Sequence, residues 1–254
     1  MKIIRRLLLA ALILTVLYFW AVGLLSDKKP EPVFTEAEKK IYAFASANGL
    51  SPEIYPDSLV ALLAKNPETE EFVLAYPFRK DSPTDLSEYE NNASVPLFLQ
   101  WDTQWGYTRY GSDFLAVTGC GPTCLAMVGY HLTGDDWFTP RNVAQFAEEN
   151  GYYVPGEGSS WTLISEGAGK LGLEAIEIPL VKSRIIANLE VGNPIILSMG
   201  PGDFTTEGHY IILIGMESGS FRVNDPNSRI RSEQLWSYEA LEGQIRNLWV
   251  IRLP

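Results

Sequence analysis

Two residues of this sequence, Cys120 and His209, are of types that could form a nucleophilic site. Cys120 lies between two glycines in the segment TGCGPTCLAMV, residues 118–128, and the chain has only two histidines to act as its base. His131 lies farther along the same predicted helix, about 16 Å from Cys120 at a rise of ~1.5 Å per residue. Only His209 can therefore lie close to the Cys120 sulfur in the folded chain. We predict a site formed by Cys120 and His209.

The residues around Cys120 predict a reactive thiol. Pro122 is typical of a first helical turn, where its missing N–H would have had no partner, and Gly119 and Gly121 permit a close backbone approach. A cysteine in that turn faces the positive end of the helix dipole and free N–H groups, which favour the thiolate. The same N–H groups could hold the oxyanion of a tetrahedral intermediate. The alternative interpretation is that Cys120 is a small buried hydrophobic residue.

The second half of the chain supplies a base and a residue to orient it. His209 begins the predicted strand His209–Met216, and the next predicted strand, Phe221–Asn224, ends at Asp225. Antiparallel pairing of these strands brings the Asp225 carboxylate toward His209, where it can bind one imidazole nitrogen and leave the other for the thiol. Taken singly, Asp225 could cap a turn and His209 could be an ordinary strand-end residue. Together with Cys120 they provide a nucleophile, a base and an orienting group.

The elements that must position these residues follow a simple order along the sequence, with predicted helices first and predicted strands later. Short helices separated by prolines form a predicted helical prelude, beginning at Glu36 after the cap Thr35, at the cap Asp57 and at Pro67. The polar, turn-rich segment of residues 79–94 is predicted to be a linker. We therefore assign residues 28–94 to the prelude and linker, ahead of a domain that spans residues 95–254.

Within that domain, helical spacing predicts helices over Cys120–Leu132, from Pro140 to Asn150 and from Trp161 to Lys170. The segments that follow are short, rich in β-branched and aromatic residues, and bounded by turn residues. The predicted strands are Leu173–Ile178, Pro194–Met199, His209–Met216, Phe221–Asn224 and Ile245–Leu253. This order predicts an α+β domain whose helices pack on one face of a mostly antiparallel sheet.

Composition and charge limit the class of partner. The chain is 46% hydrophobic and 20% charged, which is ordinary for a globular protein, and its formal net charge is −11. A strongly acidic surface repels phosphate backbones, so we predict no nucleic-acid partner.

The N-terminal residues predict a membrane anchor. Leu7–Leu25 is apolar, follows a positively charged start and approaches the roughly 20 residues that a spanning helix needs. The N-terminal positive charges favour a cytoplasmic Met1, which places the remainder of the chain outside the cytoplasm. We assign residues 1–27 to this anchor. A cleaved signal peptide, with Ala21-Val22-Gly23 at the cleavage site, is the alternative and would give a secreted protein.

Other residues that could carry chemistry are given structural interpretations. Cys124 follows Cys120 by one helical turn, where the two Cβ atoms are farther apart than the roughly 3.8 Å that a disulfide prefers. The Cys and His residues lack the paired spacing of a zinc site, and we predict no metal or cofactor. An acidic run is interpreted as a solvated face: Glu68, Glu70 and Glu71. Three tryptophans could line a cleft or pack in the core: Trp101, Trp105 and Trp161.

Three sequence blocks resemble the signature of papain-like cysteine peptidases related to the bacteriocin leader-processing (double-glycine) peptidases. The blocks are GCGPTCLAM, GHYI and VNDP, and the similarity covers roughly residues 95–254. The resemblance implies a papain-like α+β fold in which Cys120 is the nucleophile, His209 the base and Asp225 the orienting residue, with Cys124 as the second, non-catalytic cysteine. It also implies an oxyanion-hole glutamine. Gln100 resembles this glutamine but lies farther upstream of the cysteine than is usual, and Gln104 is the alternative candidate.

We therefore predict a cysteine peptidase that hydrolyses a peptide or amide bond of a peptide or protein substrate, outside the cytoplasm, through a Cys-His-Asp site. An acyl or peptidyl transferase with the same residues is one alternative, and a non-catalytic peptide-binding module of the same fold is another. The leader-processing enzymes are commonly fused to a transporter with a nucleotide-binding domain. This sequence has one candidate span and no G-x-x-x-x-G-K-[ST] loop, so bacteriocin export is not implied.

Overall fold

The computed structural model describes residues 11–20, 34–80, 83–90 and 93–254. The chain divides into two units, Met1–Thr35 and Glu36–Pro254. In the first unit, residues 11–20 are helical with exposed side chains, and the rest of the predicted anchor Leu7–Leu25 lies outside the described residues. No helix within the described ranges has both the length and the apolar character needed to cross a bilayer.

The second unit begins with helices, and further helices lie between its strands. Its α-helices are α1 (Glu36–Ala47), α2 (Asp57–Lys65), α3 (Glu70–Ala75), α4 (Leu115–Thr118), α5 (Cys120–Thr133), α6 (Pro140–Glu149), α7 (Ala168–Lys170), α8 (Lys182–Glu190), α9 (Arg229–Glu233) and α10 (Tyr238–Leu241). Short 3₁₀ helices lie at Pro52–Ile54, Pro67–Thr69, Tyr76–Phe78 and Ser87–Tyr89, and a π-helix lies at Leu163–Gly167.

The strands form one large sheet and two small hairpins. They are β1 (Arg109–Tyr110), β2 (Asp113–Phe114), β3 (Tyr153–Val154), β4 (Gly158–Ser159), β5 (Glu174–Glu177), β6 (Ile195–Met199), β7 (His209–Glu217), β8 (Ser220–Asn224), β9 (Leu235–Trp236) and β10 (Ile245–Arg252). The large sheet has the order β5-β10-β6-β7-β8-β9, and every neighbouring pair is antiparallel. The predicted α+β class with a mostly antiparallel sheet is confirmed.

Helices cover both faces of the sheet, so the prediction that they pack on one face is wrong. Ile196 and Ile212 point into the core that contains α5 and α6, whereas Ile195 and Leu213 point into a second core that includes Ile185 of α8. Every residue of β6 is buried. A strand that is apolar in both directions must be covered on both sides, and the helix that covers the second face, α8, was not predicted from the sequence.

The prelude helices pack on the rest of the second unit. Their buried residues share one cluster with Phe114 and Ala116, which lie beyond the predicted linker. The Ser58 hydroxyl donates to Asp113 at 2.8 Å, and the Tyr107 hydroxyl donates to the carbonyl of Phe72 at 2.5 Å. The prelude therefore belongs to the same compact unit as the sheet.

Most predicted helix boundaries agree with the structure, with two differences. Pro56, not Asp57, occupies the N-cap of α2, and Asp57 lies in the first turn, where its negative charge faces the positive end of the helix. The helix predicted from Trp161 to Lys170 is a π-helix followed by the single turn α7. The helix that begins at Cys120 is confirmed, and Gly134 ends it in the left-handed conformation at φ +66°.

Candidate active site

Cys120 is the first residue of α5, a helix whose next ten residues are all buried. Gly119 at the N-cap offers no side chain to the free N–H groups of this turn, which leaves them without a side-chain cap. Cys120 is partly exposed, whereas Cys124 is fully buried and both thiols are free. Burial raises the pKa of Cys124, so Cys120 is the sulfur that can react.

His209 and Asp225 meet through the pairing of β7 with β8. Ile212 pairs with Asn224, which brings Asp225 alongside the beginning of β7. The His209 Nε2 donates to Asp225 Oδ1 at 2.7 Å, with His209 8% exposed and Asp225 fully buried. Since Nε2 is engaged in this bond, Nδ1 is the nitrogen that remains for the thiol.

Asp225 is held by more than the histidine. Arg231 Nε donates to its Oδ2 at 2.6 Å, and the backbone N–H of Asn227 donates to its Oδ1 at 2.8 Å. Burial by itself would raise the pKa of Asp225, but the charges and hydrogen bonds of His209 and Arg231 outweigh it and lower that pKa. The carboxylate is therefore ionised when its partners are charged.

The surroundings of His209 favour the imidazolium. Burial would lower the pKa of His209, but the carboxylate of Asp225 and a hydrogen bond and charge from Cys120 raise it to about 10. A protonated His209 beside Cys120 stabilises a thiolate, which is the nucleophilic form of a cysteine. The structure thus brings the three predicted residues together in the predicted order.

The two candidate oxyanion glutamines lie in different places. Gln100 is 3% exposed, and it lines a cavity together with Cys120 and His209. Its Nε2 donates to the carbonyl of Ala116 at 2.7 Å, which fixes the orientation of the amide and leaves one N–H of that nitrogen uncommitted. Gln104 accepts from the backbone of Asp85 and lines a separate cavity with Arg79 and Arg141. Gln100 is therefore the glutamine at the candidate site.

Two cavities border the sulfur of Cys120. The first, called the Trp161 cavity, is lined by Trp161 and has a volume of about 590 Å³. The second, called the prelude cavity, is lined by residues of helix α2 in the prelude and has a volume of about 620 Å³. The walls common to both are Cys120, Glu207, Gly208 and His209. The Trp161 cavity is completed by residues of the segment 156–161, with Ser198 and Tyr210. The prelude cavity is completed mainly by α2 and the loop 202–206. Cys120 and His209 therefore lie where the two cavities meet, and the two cavities together are called the cleft below.

The three tryptophans have different locations. Trp161 lines the cleft, is 48% exposed and donates to Ser198 Oγ at 3.0 Å. Trp105 is fully buried in the core, and Trp101 donates to the carbonyl of Asn227 from the prelude side. Only Trp161 among them is a cleft residue.

Sequence reasoning missed two charged residues around this site. Arg231 was not predicted, although Ser228 ahead of it is a recognisable helix cap. Glu68 was interpreted as part of a solvated face, and this is wrong because its carboxylate accepts from the backbone of Arg229 at 2.8 Å. Glu70 pairs with Lys40 at the surface, with the two side chains 39% and 43% exposed, which agrees with the solvated interpretation. A contact across 161 residues leaves no signal in local sequence.

Within the part of the chain that the structure describes, no cluster of three or more His, Cys, Asp and Glu side chains could hold a metal ion.

Among solved structures, three similar ones are bacterial peptidases. The peptidase domain of Streptococcus ComA, a bi-functional ABC transporter involved in a quorum-sensing pathway, is 21% identical with a TM-score of 0.46, over 63% of this chain and 99% of that chain. The peptidase domain of Streptococcus mutans ComA, in complex with a small-molecule inhibitor, is 18% identical with a TM-score of 0.38, over 61% and 96%. A protein from Bacillus anthracis described as a C39-like peptidase is 16% identical with a TM-score of 0.36, over 61% and 94%.

The sequence comparisons identify a family. No curated protein matches the chain at a significant level. The family model described as the Peptidase_C39-like family matches residues 93–252, which is more than half of the chain. The chain belongs to the Peptidase_C39-like family and is a cysteine peptidase.

Proposed function

We propose that this peptidase hydrolyses a peptide or amide bond of a peptide or protein substrate through Cys120, His209 and Asp225. One observation carries the proposal. His209 Nε2 is bonded to Asp225 at 2.7 Å, while His209 and Cys120 line the same cleft. This arrangement orients a base toward a partly exposed thiol, which is the geometry that nucleophilic catalysis requires.

In the acylation step, His209 holds the proton of Cys120, and the thiolate attacks the substrate carbonyl carbon. The new C–S bond forms as the carbonyl oxygen takes up negative charge. His209 then donates its proton to the leaving amine, and the C–N bond breaks. Asp225 stabilises the imidazolium for as long as His209 carries this proton, because its carboxylate stays ionised and hydrogen-bonded to Nε2.

The developing oxyanion needs donors that are already in position. The uncapped N–H groups in the first turn of α5 are one source. The second amide N–H of Gln100 is the other, and the bond from Gln100 to Ala116 holds that side chain at the edge of the cleft. Loss of one such donor costs about 10²–10³ in kcat in other enzymes, which sets the expected effect of Gln100→Ala.

Deacylation reverses the proton movements. A water molecule attacks the thioester carbonyl while Nδ1 of His209 takes one of its protons, and the thiolate leaves as the C–S bond breaks. The acyl group leaves as a carboxylic acid, which loses its proton to solvent, and the thiolate and protonated His209 of the free enzyme are regenerated. An amine acceptor in place of water would transfer the acyl group, so product analysis with and without added amines separates hydrolysis from transfer.

Labelling of Cys120 tests the proposal. We expect a low dose of iodoacetamide to alkylate Cys120 in the folded protein, and His209→Ala to abolish this selectivity. Cys120→Ala should lose roughly 10⁴-fold or more of peptidase activity on a quenched-fluorescent peptide library. Cys124→Ala is the matched control and should retain it, since Cys124 is buried beneath the site. An unreactive Cys120 in folded protein would instead indicate a peptide-binding module.

We also propose that residues 7–25 anchor the protein in a membrane with the peptidase domain outside the cytoplasm. The support is the apolar sequence of this segment and the positive charges that precede it. Fractionation of cells that produce the full chain tests this proposal. Retention in alkaline-washed membranes, with the peptidase domain accessible to external protease, supports the anchor. Release of a shortened soluble form supports a cleaved signal peptide.

A further inference from the structure

The turn that follows Asp225 determines where its carboxylate lies. Asp225 pairs with Ser228 through an isolated bridge, and the N–H of Ser228 donates to the carbonyl of Asp225 at 3.1 Å. The helix α9 begins immediately after this turn and carries Arg231, whose guanidinium holds Asp225 Oδ2. The position of Asp225 therefore depends on this turn and on α9.

The helix α9 is too short to be stable by itself. It has five residues, and a helix of one turn gains too few hydrogen bonds to offset the cost of its nucleation. The first N–H groups of a helix also need acceptors from outside the helix. Ser228 Oγ accepts from the N–H of Arg231 at 3.0 Å, which satisfies one of them.

The remaining acceptors come from the prelude. The carboxylate of Glu68 accepts from the N–H of Arg229 at 2.8 Å and from that of Ile230 at 3.2 Å. It also accepts from the hydroxyl of Ser228, the residue that caps the helix. Asn66 Nδ2 donates to the carbonyl of Asn227 at 2.6 Å, within the turn itself. The end of the turn after Asp225 and the first residues of α9 are thus bonded to the prelude.

We propose that Glu68 is a positioning residue of the active site. It fixes the start of α9, and through Arg231 and Asp225 it sets the orientation and the protonation of His209. The proposal rests on the proposed function of Cys120 and His209. Glu68 lies outside residues 93–252, the part of the chain that the family model matches. The prelude therefore supplies part of the catalytic geometry in addition to packing.

The other glutamates of the same run separate this role from general packing of the prelude. Glu70 pairs with Lys40, within the prelude, and Glu71 is exposed. Within the described residues, neither of them is bonded to the turn after Asp225. Glu71→Gln is therefore a matched control for Glu68→Gln, with the same chemical change at a nearby position.

The test compares the rate at which iodoacetamide alkylates Cys120 in folded protein at about pH 6, where the reaction reports the thiolate that His209 stabilises. We expect Glu68→Gln to slow the alkylation roughly tenfold, because a neutral amide accepts these bonds less strongly than a carboxylate does. Glu71→Gln should react at the wild-type rate. Circular dichroism and thermal unfolding establish that each variant is folded, and a purely structural role would change only those measurements.

A double variant identifies the route. If Glu68 acts through Arg231 and Asp225, Glu68→Gln should slow the alkylation little further in an Arg231→Gln background. If Glu68→Gln fails to fold, Glu68→Asp replaces it, since the shorter side chain keeps the charge but draws the carboxylate back from the N–H groups of Arg229 and Ile230, and a loss of rate is again expected. A wild-type rate in the folded variant, or losses that add fully, would overturn the proposal. Unchanged peptidase activity in Cys120→Ala would instead overturn the proposed function.

Discussion

A single carboxylate serves two cations at this site. Asp225 accepts from His209 through one oxygen and from Arg231 through the other, and it is fully buried. A buried carboxylate is tolerated when its hydrogen bonds are satisfied and its charge is balanced. Arg231 keeps Asp225 ionised, and an ionised Asp225 keeps the proton on His209.

Asp225→Asn tests this dependence. An asparagine has one acceptor oxygen, so it can accept from His209 or from Arg231, and its NH₂ group would face the other donor. We expect the pKa of His209 to fall and alkylation of Cys120 at about pH 6 to slow by roughly tenfold or more. Asp136→Asn, in an exposed turn, is the control. An unchanged rate would show that the carboxylate charge is unimportant.

The protonation of His209 also predicts how stability depends on pH. Folding raises the pKa of His209 from 6.5 to about 10. Protonated His209 therefore stabilises the folded state fully below pH 6.5, and this contribution declines as the pH rises from 6.5 to about 10. We expect the free energy of unfolding of the wild type to fall relative to that of His209→Asn as the pH rises over this range. Urea unfolding at several pH values measures it. A pH-independent difference would contradict the assignment.

At the scale of the element, the helix α5 depends on close packing at its start. A Cβ on Gly121 would lie 2.7 Å from Ser159 Oγ and 2.8 Å from Ser159 Cβ, which is closer than real Cβ contacts. Ser159 is itself fixed by the hydroxyl of Tyr110 at 2.7 Å. The glycine therefore lets the hairpin β3–β4 approach the nucleophile, and the sequence interpretation of a close backbone approach at Gly121 agrees with this.

Gly121→Ala should accordingly separate α5 from Ser159. We expect it to lower the free energy of unfolding by about 1–3 kcal/mol and to reduce peptidase activity, since Cys120 moves with its neighbour. Gly169→Ala is the control, because a Cβ there meets no atom within 4 Å and alanine favours a helix. Thermal unfolding and peptide cleavage are the measurements. Equal stability of the two variants would contradict the packing argument.

How far the sequence predicts these elements depends on how local their determinants are. The five strands of four or more residues were predicted because each is a short segment with β-branched or aromatic residues, bounded by turn residues. The two-residue strands β1 to β4 carry no such pattern, and their pairing is determined by neighbours that are distant in sequence. The pairing of β7 with β8 was predicted, but its irregularity between Leu213 and Gly215 was not.

The same limit applies to the site. The glycine-flanked Cys120, the strand that begins at His209 and the turn at Asp225 each have a local pattern, and their pairing follows from one hairpin. Arg231 and Glu68 have no such pattern, since what they bind is decided by how the prelude folds against the sheet. Sequence reasoning therefore named the three proposed reacting and orienting residues but missed Arg231 and Glu68, which contact Asp225 and the turn after it.

At the scale of the whole molecule, the prelude and the sheet share buried surface. Leu59 of α2 is fully buried in the cluster that also contains Phe114 and Ala116. We expect Leu59→Ala to cost about 2–5 kcal/mol and to lower the stability of the entire second unit in a single transition. Hydrogen exchange of the β7 amides together with near-ultraviolet circular dichroism can measure this. Ala64→Ser, on the exposed face of α2, is the control. Separate transitions would show that residues 28–94 fold on their own.

Two cavities meet at Cys120, and Glu207, Gly208 and His209 border both of them. Under the proposed function, the two cavities together would give a bound polypeptide room on each side of the bond that is cleaved. Neither end of such a chain would have to enter first, so the proposed reaction would suit cleavage at internal positions and not only trimming from a terminus.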